Sequence, residues 1–341
     1  MELLHILFTA VNAVMPVILM ILLGYGLKRI GFLTKEFLSV GNKLMFNICL
    51  PCMLFINVYD IESFSSIKWD IVIYAVAMLL VIFFLGLGTA IATTRVPERR
   101  GVVLQCVFRS NFAIIGLSLA SALGGGEAMG VAAIVSAFTV PVFNVLAVIS
   151  LSMFMDQGSG GNTLKKTLVS IAKNPLIIGC ALGMVCLLLR LGQEKLFGEV
   201  VFRLDRETKF LYTVLNNLKN ITTPLALLVL GGQFEFSAVG GLLKEIVVST
   251  LWRIVLSPLL GIGGAILISA HTNLLSCGVN EYPALIAMFG SPVAVSSAIM
   301  AGNMKNDEQL ATQLVVWTSL LSIVTIFLTV CLLMWAGMLA V

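Results

Sequence analysis

The chain has 341 residues, 59% of them hydrophobic and only 11% charged, with a formal net charge of +4. A mean hydropathy of +1.05 excludes a soluble globular domain, whose surface cannot carry so much apolar side chain. Long uncharged runs also exclude a membrane β-barrel, which alternates apolar and polar positions, so the fold class is all-α integral membrane.

Ten spans are expected, at about 5 to 27, 36 to 59, 71 to 94, 101 to 124, 128 to 155, 174 to 191, 210 to 234, 245 to 270, 281 to 304 and 310 to 339. The first ends at Lys28-Arg29 with no basic stretch before it, so it reads as an uncleaved span rather than a signal peptide. Span two contains Asn47-Ile48-Cys49-Leu50-Pro51. Cys49 and Cys52 make a CxxC there without the strand context of a redox motif, and the seven cysteines read as small apolar residues. Span four runs Arg109-Ser110-Asn111-Phe112-Ala113-Ile114-Ile115-Gly116-Leu117-Ser118, with polar and small residues interrupting an apolar helix. In span six, Gly179 and Gly183 have the GxxxG spacing of a close helix contact or a homodimer face. Span seven holds Asn220-Ile221-Thr222-Thr223-Pro224, repeating the Asn-Ile-x-x-Pro of span two. Span nine has Gly290-Ser291-Pro292 and then Ser296 at the place that matches the interruption in span four.

Orientation follows from the basic residues. Lys28, Arg29, Lys35 and Lys43, then Arg95, Arg99 and Arg100, then Lys165, Lys166 and Lys173 all fall on one face, which is expected to be cytoplasmic. Both termini then lie outside the cell membrane, and the second five spans enter with opposite orientation to the first. The mixed-charge stretch 193–209, with Arg190 just before it, breaks the rule and is expected to lie along the interface as an amphipathic segment. Gly26-Leu27-Lys28-Arg29-Ile30-Gly31 closes span one much as Leu187-Leu188-Leu189-Arg190-Leu191-Gly192 closes span six. The expected organisation is therefore two inverted five-helix repeats, 1–155 and 174–341, joined by a cytoplasmic linker 156–173.

Proline removes a backbone donor and frees a carbonyl, and such a break survives in a bilayer only where protein or a water-filled cavity covers it. Pro51, Pro224 and Pro292, with Gly116 and Gly290, are the expected helix breaks. Each half-helix at a break presents unpaired N–H groups with positive partial charge, so the interruptions of spans four and nine mark the expected substrate site. All 17 Asp and Glu residues fall at span ends or in connections, which argues against a buried carboxylate relay and leaves room for an anionic substrate. Arg109 and Arg253 are the basic residues well inside spans, at a depth of about 12 Å from which either can snorkel to the interface. Both read chiefly as such anchors, Arg253 the more so, while Arg109 keeps a claim on substrate because Ser110 and Asn111 follow it. Gln233, Ser136, Thr139, Pro141 and Asn144 are intramembrane polar or kinking residues whose commoner role is helix-to-helix bonding. His5 and His271 are isolated, and no metal site, cofactor or nucleic-acid partner is expected.

These motifs, in this order, resemble the auxin efflux carrier family, bacterial relatives of the plant PIN transporters. The resemblance covers essentially the whole chain and implies ten helices with spans four and nine crossing as broken helices. It also implies a scaffold of spans one, two, six and seven and a moving bundle of the other six. By the same resemblance Asn111 is the crossover asparagine facing substrate and Pro292 the crossover proline, while Asn47 and Asn220 face the site from the scaffold. The chain departs from the family at Ser118, where relatives often have proline, so Ser110, Asn111 and Gly116 must make the break. Substrates such as malate, malonate or an auxin-like carboxylate are what the resemblance implies.

The function expected is a secondary carrier moving a small organic anion by alternating access. No Walker A sequence is present, so energy must come from a gradient or the membrane potential. An intramembrane enzyme would need a reactive pair at membrane depth, and none is present. A sodium-coupled symporter of bile-acid type remains an open alternative, because backbone carbonyls and Asn, Ser or Thr side chains at the crossing suit a monovalent cation.

Overall fold

With no water in a bilayer core to satisfy backbone groups, an apolar chain must bond its backbone internally, and this one does so as helix. The computed structural model describes residues 2–60, 68–155, 169 and 172–339; the expected linker 156–173, with Lys165 and Lys166, lies almost wholly outside them. The elements are α1 (Glu2–Arg29), α2 (Lys35–Tyr59), α3 (Trp69–Thr93), α4 (Pro97–Phe108), α5 (Phe112–Ser152) and α6 (Pro175–Phe197). They continue with α7 (Leu204–Glu207), α8 (Lys209–Gln233), α9 (Phe236–His271), α10 (Glu281–Leu285), α11 (Ser296–Asn303) and α12 (Glu308–Trp335). Six of these, α2, α3, α5, α6, α9 and α12, are long and apolar enough to cross a membrane. Among the described residues there is no strand, only one isolated antiparallel bridge between Ser110 and Val293.

Prolines explain several local departures from regular helix. The Pro51 ring meets the carbonyl four residues back, and α2 opens into a π turn at Met45–Cys49 just before it. The same device recurs in α9, where the π turn Trp252–Leu256 precedes Pro258. Further π turns occupy Phe112–Gly116 at the start of α5 and Ile286–Gly290 after α10. α5 is bent where Gly124 and Gly125 leave helical geometry; Gly125, at φ 66° and ψ −156°, adopts a backbone conformation open to glycine alone.

The two Asn-Ile-x-x-Pro segments lie side by side, with the Thr222 hydroxyl donating to the Cys49 carbonyl at 3.2 Å. Gly179 and Gly183 face the α2 backbone, where a Cβ would stand 2.5 Å from the Pro51 oxygen and 2.7 Å from that of Phe55. This face of α6 is consumed inside the chain, so of the two uses of the GxxxG spacing it serves the close helix contact. α6 also runs further than expected, ending at the left-handed Gly198. Arg190 therefore sits on the helix, buried, and donates to the Tyr59 carbonyl at the end of α2 at 3.1 Å. Part of the mixed-charge stretch folds onto the same end of α2: the Leu204 N–H donates to the Tyr59 hydroxyl, which donates to Asp205. Burial works against the Asp205 carboxylate, yet Arg203 at 3.0 Å holds it below its ordinary range.

Candidate substrate site

The site begins where α4 stops. Arg109 turns extended (φ −83°, ψ 109°), Asn111 is non-helical, and the chain re-enters helix at Phe112. The second break starts at Ser291, forced extended by the proline that follows it (φ −64°, ψ 148°), and ends at Ser296. The two non-helical stretches satisfy each other. The Asn111 N–H donates to the Pro292 carbonyl at 2.8 Å and the Ala294 N–H to the Arg109 carbonyl at 3.4 Å. From α12, the Thr318 hydroxyl accepts the Val293 N–H at 3.2 Å. Buried backbone is thus paired across the crossing. Ser118 lies in regular helix one turn beyond, so the break needs no proline there.

Side chains at the crossing divide into satisfied and unsatisfied ones. Arg109, 3% exposed, donates through Nη2 to Asn144 Oδ1 and Ser296 Oγ, each at 2.8 Å, and through Nη1 to the Met300 sulfur. This corrects the interface-anchor reading of Arg109, because the guanidinium is held inside the protein. All three partners are neutral, and no carboxylate lies within ion-pair distance of it among the described residues. The Ser291 hydroxyl returns to the Ala287 carbonyl at 2.6 Å. In contrast the Nδ2 amide of Asn111 and the Ser110 hydroxyl are buried without any partner. Buried donors left unpaired cost about 1 to 3 kcal/mol each, which an incoming acceptor would recover.

A cavity of about 490 Å³ adjoins the crossing, bounded by Ala113 and Leu117 of α5 and by Asn57 and Ser136. Its mouth carries Asp60 and Lys219, paired at 3.2 Å. That volume suits a small metabolite. Arg109, Ser110, Asn111, Ser291, Pro292 and Ser296 are thus brought together, with Gly116 and Gly290 at the adjoining turns. Asn47 and Asn220 are not: both are exposed, line neither cavity described here, and Asn47 donates to Lys43 of its own helix at 2.8 Å.

A family model described as "Membrane transport protein" matches residues 9–330, nearly the whole chain. The chain belongs to this family, that of the auxin efflux carriers. An uncharacterized transporter of Methanocaldococcus jannaschii is 23% identical over 251 residues, covering 72% of this chain and 76% of the relative. Another, from Methanothermobacter thermautotrophicus, is 22% identical over 329 residues, covering 92% and 95%. Family and relatives make this chain a multi-pass membrane transporter and point away from an enzyme.

Two further features of the transporter depart from its sequence pattern. Arg253, expected at the interface, is 1% exposed and bonds backbone carbonyls at both breaks, a correction whose cause is the π turn that carries it inward. At the end of α2 opposite the Asp60 mouth, a polar cavity of about 340 Å³ centres on Glu308. Its Oε1 accepts from Asn42 Nδ2 at 2.5 Å and Gln233 Nε2 at 2.7 Å, tying α2 and α8 to α12. The signal available was a second acid, next to Asp307, at the start of a span. Glu308→Ala deletes both bonds, worth together about 2 kcal/mol at this half-buried depth. A cysteine placed at Leu38, buried in the wall of that cavity, should then react roughly thirtyfold faster with an impermeant thiol reagent. Unchanged labelling would show that Glu308 closes nothing.

Gly116 makes a sharper steric prediction. Its Cβ would fall 2.7 Å from the Ala287 carbonyl of the other π turn and 2.5 Å from the Phe112 ring. A backbone oxygen cannot swing aside, so Gly116→Ala should destabilise by about 1 to 3 kcal/mol, read as a lower unfolding midpoint in detergent. An unaltered midpoint would mean the two turns separate freely.

Proposed function

We propose that this chain is a secondary carrier for a small organic anion, a mono- or dicarboxylate, working by alternating access. In this reading ten spans form two inverted five-helix repeats in the cell membrane, both termini outside. α1, α2, α6 and α8 make the scaffold; the remaining spans make the bundle, and substrate binds where the broken helices meet. The observation that carries the reading is the buried crossing itself, with an uncompensated Arg109 and the unpartnered Asn111 amide beside a metabolite-sized cavity. Donors without acceptors and a cation without a counter-ion call for a ligand that brings negative charge and oxygen atoms.

The placement of the cavities supports alternating access. One opens toward Asp60 and Lys219, while the Glu308 cluster bridges helices at the opposite end of α2. A membrane potential of 100 mV is worth about 2.3 kcal/mol per net charge, so export of an anion needs no coupled ion. The test is counterflow in proteoliposomes with a panel of mono- and dicarboxylates, with and without sodium and a pH gradient. Saturable exchange of at least one carboxylate is expected. Absence of saturable exchange for every carboxylate of the panel would refute the anion assignment.

A further inference from the structure

Arg253 sits in the π turn Trp252–Leu256 of α9, and its guanidinium bridges the two breaks. Nη1 donates to the carbonyls of Val107 at 3.3 Å and Phe108 at 3.0 Å, the last turn of α4. Nη2 donates to Met288 at 3.4 Å and Phe289 at 2.5 Å, the last residues before Gly290. Ser257, one turn further along α9, adds a 3.0 Å bond to Val107. Carbonyls at a helix C-terminus have no partner within the helix, and here two such ends are buried together. Each end carries roughly half a negative charge, so the pair approximately neutralises one cation. Arg253 supplies that cation and needs no carboxylate to do so.

We propose that Arg253 is the resident counter-cation of the crossing, filling a carbonyl cage that with an uncharged residue would demand a bound monovalent cation. Resting on the carrier reading above, this makes Arg253 a positioning residue that holds the two broken helices in register and frees transport from a coupling ion at this place. A planar fork with two Nη groups reaches two carbonyls in each of two helices at once, whereas a single ammonium on a flexible stem cannot hold both pairs. Its Nε–H is buried without a partner, so the fit is to the carbonyls and not to some second acceptor.

The test compares full-length wild-type protein with Arg253→Ala and Arg253→Lys, purified in detergent and reconstituted. The unfolding midpoint and counterflow rate are measured in choline chloride, then with millimolar sodium, potassium or methylguanidinium added. Wild type should be indifferent to the added cation. Arg253→Ala should unfold at lower temperature in choline and lose roughly tenfold or more of its counterflow rate. Methylguanidinium should restore both saturably, and Arg253→Lys should fall between the two. An Arg253→Ala protein as stable as wild type in choline overturns the proposal, and so does a lowered midpoint that no cation raises. Saturable sodium dependence of wild-type stability overturns it too. If Arg253→Ala yields no folded protein, Arg253→Lys is set against Arg253→Met: folding of Lys alone supports the charge requirement, and equal behaviour refutes it. The midpoint needs no substrate, so failure to find counterflow would count against the carrier reading and leave the cage to be judged by stability.

Discussion

Asn111→Ala should reduce counterflow to background while the amount of protein in the membrane and its unfolding midpoint stay at wild-type values. The amide Nδ2 is buried and bonds nothing, and the side chain does not cap the helix that begins at Phe112. What holds that turn is the Asn111 backbone, whose carbonyl accepts from Ile115 at 3.0 Å and Gly116 at 3.2 Å, and alanine keeps it. Removing an unsatisfied polar group is neutral or mildly stabilising in the empty protein. Under the proposed anion reading, the same change deletes a bond to a charged acceptor in the loaded protein, about 1.5 to 3 kcal/mol, or roughly 10- to 150-fold in affinity. Loss of transport together with a falling midpoint would reassign Asn111 to structure, and undiminished transport would remove it from the site.

That split between silent stability and lost function is visible only from the fold, although much of the fold was legible beforehand. Helix was dictated by apolar runs with nowhere to place an unpaired backbone group. The interruptions at Arg109-Ser110-Asn111 and Ser291-Pro292 could be read because proline, glycine and short polar residues have few reasons to sit mid-helix. Their mutual pairing could not, since bonds such as Asn111 to Pro292 are tertiary and leave no periodic trace. Arg253 was misread for a related reason. A basic residue in an apolar helix either snorkels outward or caps carbonyls inward, and the choice depends on which helix ends stand opposite it. Pro258, five positions on, was the available hint, because a proline there favours the widened turn that redirects Arg253. Asn47 and Asn220 are exposed, and their shared motif marks where α2 and α8 meet; the buried contact there is made by Thr222.

The charges at the crossing are unequal on its two sides. At the carbonyl ends of the broken helices Arg253 and two negative half-charges nearly cancel. At the N–H ends, the starts of the helices at Phe112 and Ser296 contribute positive half-charges, and Arg109 adds a full one among neutral partners. The uncompensated positive charge lies where the unpartnered donors lie. A carboxylate about 4 Å from a guanidinium gains roughly 4 kcal/mol at an effective dielectric of 20, before its own desolvation is subtracted. Arg109→Gln keeps an amide able to donate to Asn144 or Ser296 but removes the charge. It should raise the half-saturation concentration for a carboxylate by about tenfold or more, with a much smaller effect on an uncharged methyl ester of the same substrate. Equal effects on acid and ester would mean that Arg109 only orders the crossing, and an unchanged half-saturation concentration would mean that the anion is held elsewhere.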